Sequence, residues 1–256
     1  MKAVILAGGL GTRMQRWTSA MPKALIPVAG EPMIARVART LLDSPSIRDV
    51  VILAQSADAI LAEAPAWLAA DDRIRTATGG AGIATSIAAV AGTRAAPWPV
   101  LVTTADHPLL TVGMVEQFVA GAEGADVAVA VAERRVIHAA YPDNKRTWLR
   151  FADGDWSGAN LFALAGPKAQ PALASWAEVE QDRKKALRLI WHFGPLLALR
   201  AMTRTIGLHA AVARAGRRMG LTARLVPMAQ AEAAIDVDKP SDLALAERIL
   251  RARASG

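Results

Sequence analysis

Four short runs, apolar almost throughout, recur at residues 3–7, 50–54, 100–104 and 127–131, with amphipathic stretches between them. A strand that is apolar on one face alternates; a run without alternation must be buried on both faces. That is what a parallel sheet covered by helices on two sides demands. Segments 32–42, 57–70, 83–91 and 112–121 have helical spacing, so the first half predicts strand, helix, strand, repeated. This is the pattern of an α/β fold with a doubly wound, mostly parallel, Rossmann-like sheet. After about residue 133 the rhythm changes. Residues 141–155 are polar and turn-rich, 158–163 predict one more strand, and 171–220 predict three or four helices. Gly194-Pro195 and Gly207 should break those helices. Residues 224–226 predict a last strand and 239–251 a helix with Pro240 in its first turn. We expect one domain over 1–256, with a helical, basic elaboration at 171–222 inside it.

Composition narrows the function classes. A hydrophobic content of 53% excludes disorder, and the absence of Cys excludes disulfides and thiolate metal sites. No run approaches the roughly 18 apolar residues of a membrane span. The apolar run at 3–7 breaks at Gly8-Gly9, too early for a secretory signal, so a cytoplasmic protein is expected. The net charge of +7 is local: ten of the 30 Lys and Arg fall within 183–231, which contains no acid. Without them the balance is 20 cations against 23 acids. The basic segment reads as a solvated face, as a cover over an anionic ligand, or as a patch at residues 183–224 meeting anionic lipid at the inner membrane face. Nucleic acid is not expected, because aromatic stacking residues are not interleaved with the cations.

Leu6-Ala7-Gly8-Gly9-Leu10-Gly11-Thr12-Arg13-Met14 follows the first strand directly. Its glycines allow a sharp turn and a close approach of backbone N–H groups to an anion; the alternative is a plain tight turn. A P-loop would need Gly-Lys-Ser/Thr, and a dinucleotide fingerprint a different glycine spacing with an acid on strand two. Neither is present. Arg13 and Lys23, placed around such a loop, suit a triphosphate whose leaving pyrophosphate gathers charge.

This loop, followed by Pro22-Lys23-Ala24-Leu25-Ile26-Pro27-Val28-Ala29-Gly30-Glu31-Pro32-Met33, resembles the signature of the MobA-like and sugar-phosphate NTP transferases, GT-A-type nucleotidyltransferases. The resemblance implies that Leu6, Ala7, Gly8, Gly9, Gly11 and Thr12 surround the nucleotide phosphates. It assigns catalysis to Arg13 and Lys23. The late helices also look similar to those of CTP:inositol-1-phosphate cytidylyltransferase-like proteins.

Asp106 closes the strand Leu101-Val102-Thr103-Thr104-Ala105, on the sheet edge that carries the glycine loop. Spacing alone leaves it between a metal ligand and a helix cap. The resemblance implies a Mg²⁺ ligand; His107 reads as structural or as a phosphate contact and not as a base, because an acceptor phosphate is already anionic. It likewise assigns the second metal ligand to Asp236 in Ile235-Asp236-Val237-Asp238-Lys239-Pro240, with Asp238 in reserve; Asp238 otherwise reads as a helix cap. Thr78-Gly79-Gly80-Ala81-Gly82 leads into a helix, and the resemblance makes Gly80 and Ser86 contacts to the nucleobase, against an ordinary glycine-rich helix entry. Gly158 and Asn160 fall where relatives contact the acceptor, and Lys184 or Lys185 is expected to hold its phosphate.

The expected activity is Mg²⁺-dependent transfer of a nucleotidyl group from an NTP to a small phosphorylated acceptor (sugar, polyol, inositol or cofactor phosphate). Pyrophosphate is released. A cytidylyltransferase feeding lipid head-group or nucleotide-sugar synthesis is the leading form. The alternatives are a molybdenum-cofactor-type guanylyl- or cytidylyltransferase, and a non-catalytic nucleotide-binding regulator. Oligomeric state is not legible.

Overall fold

The computed structural model describes residues 1–8, 21–80, 82–144, 146–181 and 195–255. Strand β1 (Lys2–Leu6) runs through the middle of an eight-stranded sheet. Its composition follows from that position. Ala3 and Ile5 join one apolar cluster, with Val37 of α1 (Met33–Leu42); Val4 joins another on the opposite face. All three are fully buried. Val4 and Ile5, so placed, each contribute about 1.5–3 kcal/mol.

Around β1 the sheet is parallel. On one side lies β4 (Asp49–Ala54) and then β5 (Ile74–Thr78); on the other lies β6 (Val100–Thr104). A small antiparallel pair, β2 (Pro27–Val28) and β3 (Glu31–Pro32), leads into α1. Helices α2 (Ala57–Glu63) and α3 (Ala66–Ala70) connect β4 to β5. Helix α4 (Ile83–Val90) covers the Val4 face, and α5 (Val112–Ala122) the Ile5 face.

Beyond β6 one strand reverses. β9 (Gly154–Leu164) lies antiparallel between β6 and β7 (Val127–Glu133), and β10 (Ala223–Pro227) extends the sheet parallel to β7. β8 (Leu149–Phe151) forms a hairpin with β9. The remaining helices are α6 (Arg134–Ala140), α7 (Gln170–Gln181), α8 (Pro195–Met202), α9 (Leu208–Arg218) and α10 (Pro240–Ser255). Because β1 has β4 on one side and β6 on the other, a crevice opens at the carboxyl ends of these strands.

The expected α/β, mostly parallel, doubly wound architecture is present. Three local expectations need correction. The helix read over 57–70 is two helices, because Pro65 forces Ala64 into an extended backbone with ψ 165°. β5 was not expected: on the sheet edge it buries only Ile74, so Ile74-Arg75-Thr76-Ala77-Thr78 has no apolar run to announce it. Helix α6 likewise buries only Ile137. The break at Gly207 is where α9 starts, while Gly194 lies outside the described residues.

Candidate active site

At the carboxyl end of β6, the amide of Ala105 bonds to the carbonyl of Leu6, so the ends of β6 and β1 stay together. Asp106 is the next residue. Its carbonyl accepts the amide of Val237 at 2.9 Å, which brings the C-terminal acidic stretch to the same edge. Ile235 and Val237 are buried in a cluster with Ile26 and Val28. The alternation of an extended chain turns Asp236 and Asp238 away from that cluster.

Lys23 stands between two of these acids. It opens a 3₁₀ turn after Pro22, and its Nζ lies 2.5 Å from Asp106 Oδ2 and 2.5 Å from Asp238 Oδ1. Burial lowers the pKa of its ammonium, but the charge and hydrogen bond of Asp106, then of Asp238, outweigh burial and hold it above the ordinary lysine range. His107, the residue after Asp106 in the chain, is buried, 1% exposed. Burial holds its pKa below the ordinary histidine range against the pull of Asp106. This fits the structural role and not contact with a substrate phosphate.

Asp236 has different partners. Its Oδ1 accepts from Arg146 Nη2 at 2.9 Å and its Oδ2 from Asn160 Nδ2 at 3.5 Å, and Arg146 Nε donates to Ser157 Oγ at 3.1 Å. Of the two candidate acids, it is therefore Asp238 that joins Asp106 through Lys23, while Asp236 is the counter-ion of an arginine. Arg146, Ser157, Asp236 and Asp238 line a cavity of about 420 Å³. Asn160, which reaches Asp236, has φ +49°, in the left-handed region, and is not itself among the residues lining that cavity. Gly158 lies on β9, exposed, and is not among the residues lining that cavity. Sequence reasoning missed Arg146. Its only signal was a cation in a polar turn.

A second cavity, of about 260 Å³, has Asp106 in its wall. Leu6, Gly8, Gly80 and Ser86 line it together with Asp106, so five sequence-derived candidates meet there. Ser86 shapes the loop: its Oγ accepts from Gly80 N at 2.8 Å and donates to the carbonyl of Gly82 at 2.5 Å. Ala7 lines a smaller recess with Lys23. Gly9, Gly11, Thr12, Arg13, Lys184 and Lys185 lie outside the described residues.

The acid pair can hold a hard cation. Asp106 Oδ1 is buried and has no hydrogen-bond partner among the described residues, and the ammonium of Lys23 already bridges Asp106 and Asp238. Among the described residues no group of three or more acids or histidines could hold a metal unaided. Two carboxylates, completed by water and phosphate oxygens, suit Mg²⁺, which seldom occupies an all-protein cage.

The sequence model of the MobA-like NTP transferase domain matches residues 3–189. The chain is 38% identical to bifunctional protein GlmU of Rhodospirillum rubrum over 112 residues, 43% of this chain and 23% of that protein. It is 35% identical to 2-C-methyl-D-erythritol 4-phosphate cytidylyltransferase of Sodalis glossinidius over 109 residues, 42% of this chain and 43% of that protein. The match therefore spans less than half the length of either relative. The structure of a hypothetical transferase from Thermus thermophilus has a TM-score of 0.77 and 27% identity, covering 95% of this chain and 100% of that one.

Proposed function

The chain belongs to the MobA-like NTP transferase family, and from that premise we propose that it is a Mg²⁺-dependent nucleotidyltransferase. It joins an NTP, with CTP the leading candidate, to a small phosphorylated sugar, polyol or similar acceptor. The likeness to a cytidylyltransferase that uses 2-C-methyl-D-erythritol 4-phosphate supports the choice of CTP and of a phosphorylated polyol. The observation that carries the reading is the Lys23–Asp106–Asp238 constellation, set between two cavities.

In this reading the nucleotide lies along Leu6, Gly8, Gly80 and Ser86, and the acceptor lies beside Arg146 and Asn160. An oxygen of the acceptor phosphate forms a bond to the α-phosphorus. The bond from that phosphorus to the bridging oxygen breaks, and pyrophosphate leaves with the electron pair. The attacking phosphate is already anionic, so no base is needed. Lys23 offsets negative charge developing in the transition state, and Arg13 does the same by the family resemblance. Arg146 is placed to meet the acceptor's phosphate, and Asp236 and Asn160 its hydroxyls. A magnesium ion held by Asp106 and Asp238 would neutralise phosphate charge and orient the triphosphate.

Release of pyrophosphate tests the reading: four NTPs crossed with sugar, inositol and cofactor phosphates, with and without EDTA. One productive, EDTA-sensitive pair is expected. Nucleotide binding without turnover and without metal dependence would favour a regulatory protein instead.

Among the described residues no helix is long and apolar enough to cross a membrane. Leu196, Leu199 and Met202 are exposed along one side of α8, close in sequence to Arg200 and Arg204. They support a peripheral contact of the 183–224 segment with anionic lipid. Co-sedimentation with phosphatidylglycerol vesicles, absent with phosphatidylcholine, is the expected result.

A further inference from the structure

Helix α4 begins at the nucleotide-side cavity with no cap of its own. Its N-cap is Gly82, which has no side chain to accept the first free amides. A residue far along the chain supplies the missing acceptor. Glu180, near the end of α7, receives the amide of Ile83 on Oε1 at 2.7 Å and that of Ala84 on Oε2 at 3.1 Å.

Two further observations make this more than a surface contact. The carboxylate packs close against the bare backbone of position 82: an added Cβ would lie 3.0 Å from Glu180 Oε2 and 2.9 Å from Thr85 Oγ1, so both side-chain ends would have to give by a few tenths of an ångström. The turn it grips is also a wall of the cavity, since Gly79, Gly80, Gly82, Ile83 and Ser86 all line it. Inside the turn, the amide of Gly79 bonds to the carbonyl of Ala54 at 2.9 Å and Ser86 pins Gly80 and Gly82. Glu180 adds two bonds where this turn enters the helix. A carboxylate accepting two amides at a helix N-terminus gains from both charge-assisted hydrogen bonding and the helix dipole.

We propose that Glu180 is a positioning residue for the nucleotide. It holds Gly80 and residues 82–84 in the shape that receives the base, without itself touching the ligand. The identity of that ligand rests on the nucleotidyltransferase reading above. The late helix α7 is thereby tied to the base side of the site, while Lys23, on the phosphate side, is held by Asp106 and Asp238.

The experiment compares wild type with Glu180→Gln, which keeps size but loses charge and one acceptor. A second variant, Gly82→Ala, crowds the carboxylate without removing it. CTP, GTP, UTP and ATP are titrated with Mg²⁺, inorganic pyrophosphate is titrated separately, and amide exchange is followed at residues 79–87. Both variants should bind the preferred NTP about five- to tenfold more weakly. Their pyrophosphate affinity should stay unchanged, and exchange at Ile83 and Ala84 should be faster. A general structural defect would weaken both ligands together and would overturn the proposal, as would unchanged NTP affinity in Glu180→Gln. If wild type bound no NTP, the nucleotidyltransferase reading itself would fall. Wild type that binds, beside a Glu180→Gln variant that binds equally well, would sink this inference alone.

Discussion

Lys23 Nζ lies 2.5 Å from Asp106 Oδ2, although the two residues are 83 positions apart in the chain. The parallel pairing of β1 with β6 ends both strands at one edge of the sheet, where the two residues meet. In the proposed reaction the ammonium moves from holding the carboxylates to offsetting phosphate charge. Lys23→Ala should therefore reduce pyrophosphate release by roughly 10²–10³-fold, with little change in fold by circular dichroism. Because Asp106 and Asp238 raise its pKa despite burial, Lys23 stays charged through neutral and mildly alkaline pH. Its share of stability is fully present below the ordinary lysine value of 10.5 and is lost only as pH rises through the higher folded value. Activity that fell along a titration near pH 8 in wild type, and not in Lys23→Ala, would contradict this.

Asp236 and Asp238 should separate in their effects. Asp238→Asn removes a carboxylate from the pair that Lys23 bridges, so it should raise the Mg²⁺ concentration needed for half-maximal rate by about tenfold or more. Asp236→Asn leaves that pair intact and unties Arg146 instead. It should raise the acceptor KM with an unchanged Mg²⁺ requirement. A Mg²⁺ titration of both variants decides; the reverse pattern would restore Asp236 as the metal ligand.

The difference between these two acids shows where the sequence stops being informative. Strands β1, β4, β6 and β7 were legible because each is buried on both faces and so must be apolar nearly throughout. Asp106, Gly80 and Ser86, picked out by motif order, come together in the wall of one cavity, because the loops that follow the strands gather at the carboxyl edge of the sheet. Asp236 and Asp238 stand two residues apart, so an extended chain turns both to the same side. Their partners come from residues 23 and 146, and only tertiary structure decides which acid meets which cation. Arg146 and Glu180 have no motif at all. Their roles come from what the fold sets opposite them.

Arg146 is mostly buried, its side chain 14% exposed, and is held by Ser157 and Asp236 on the cavity wall. A guanidinium fixed this way is prepared for a planar or tetrahedral anion at little further entropic cost. Arg146→Lys keeps the charge but loses the fork. It should raise the acceptor KM about tenfold or more and leave the NTP KM within twofold, measured by initial rates with each substrate varied in turn. A change confined to the NTP KM would place the acceptor elsewhere.

Glu180 and Gly82 have a counterpart at the start of α9, which allows the capping argument to be tested away from the site. Gly207 is the N-cap of α9 and offers no side chain. Asp153 takes the amide of Leu208 at 2.8 Å and of His209 at 3.4 Å. An added Cβ at Gly207 would collide with that carboxylate. Asp153→Ala should cost about 1 kcal/mol of unfolding free energy. Gly207→Ala should cost a similar amount in wild type but much less on top of Asp153→Ala, since nothing remains to displace. The pH dependence has a definite sign. Burial raises the Asp153 pKa, but the Leu208 amide and then His209 outweigh it and leave it below 3.8. The capping contribution is therefore present above that ordinary value and is lost as pH falls through the lower folded value. Urea unfolding of wild type and Asp153→Ala should differ at neutral pH and converge in strong acid. A gap that persists in acid would mean that packing of the Asp153 side chain, and not its charge, supports α9.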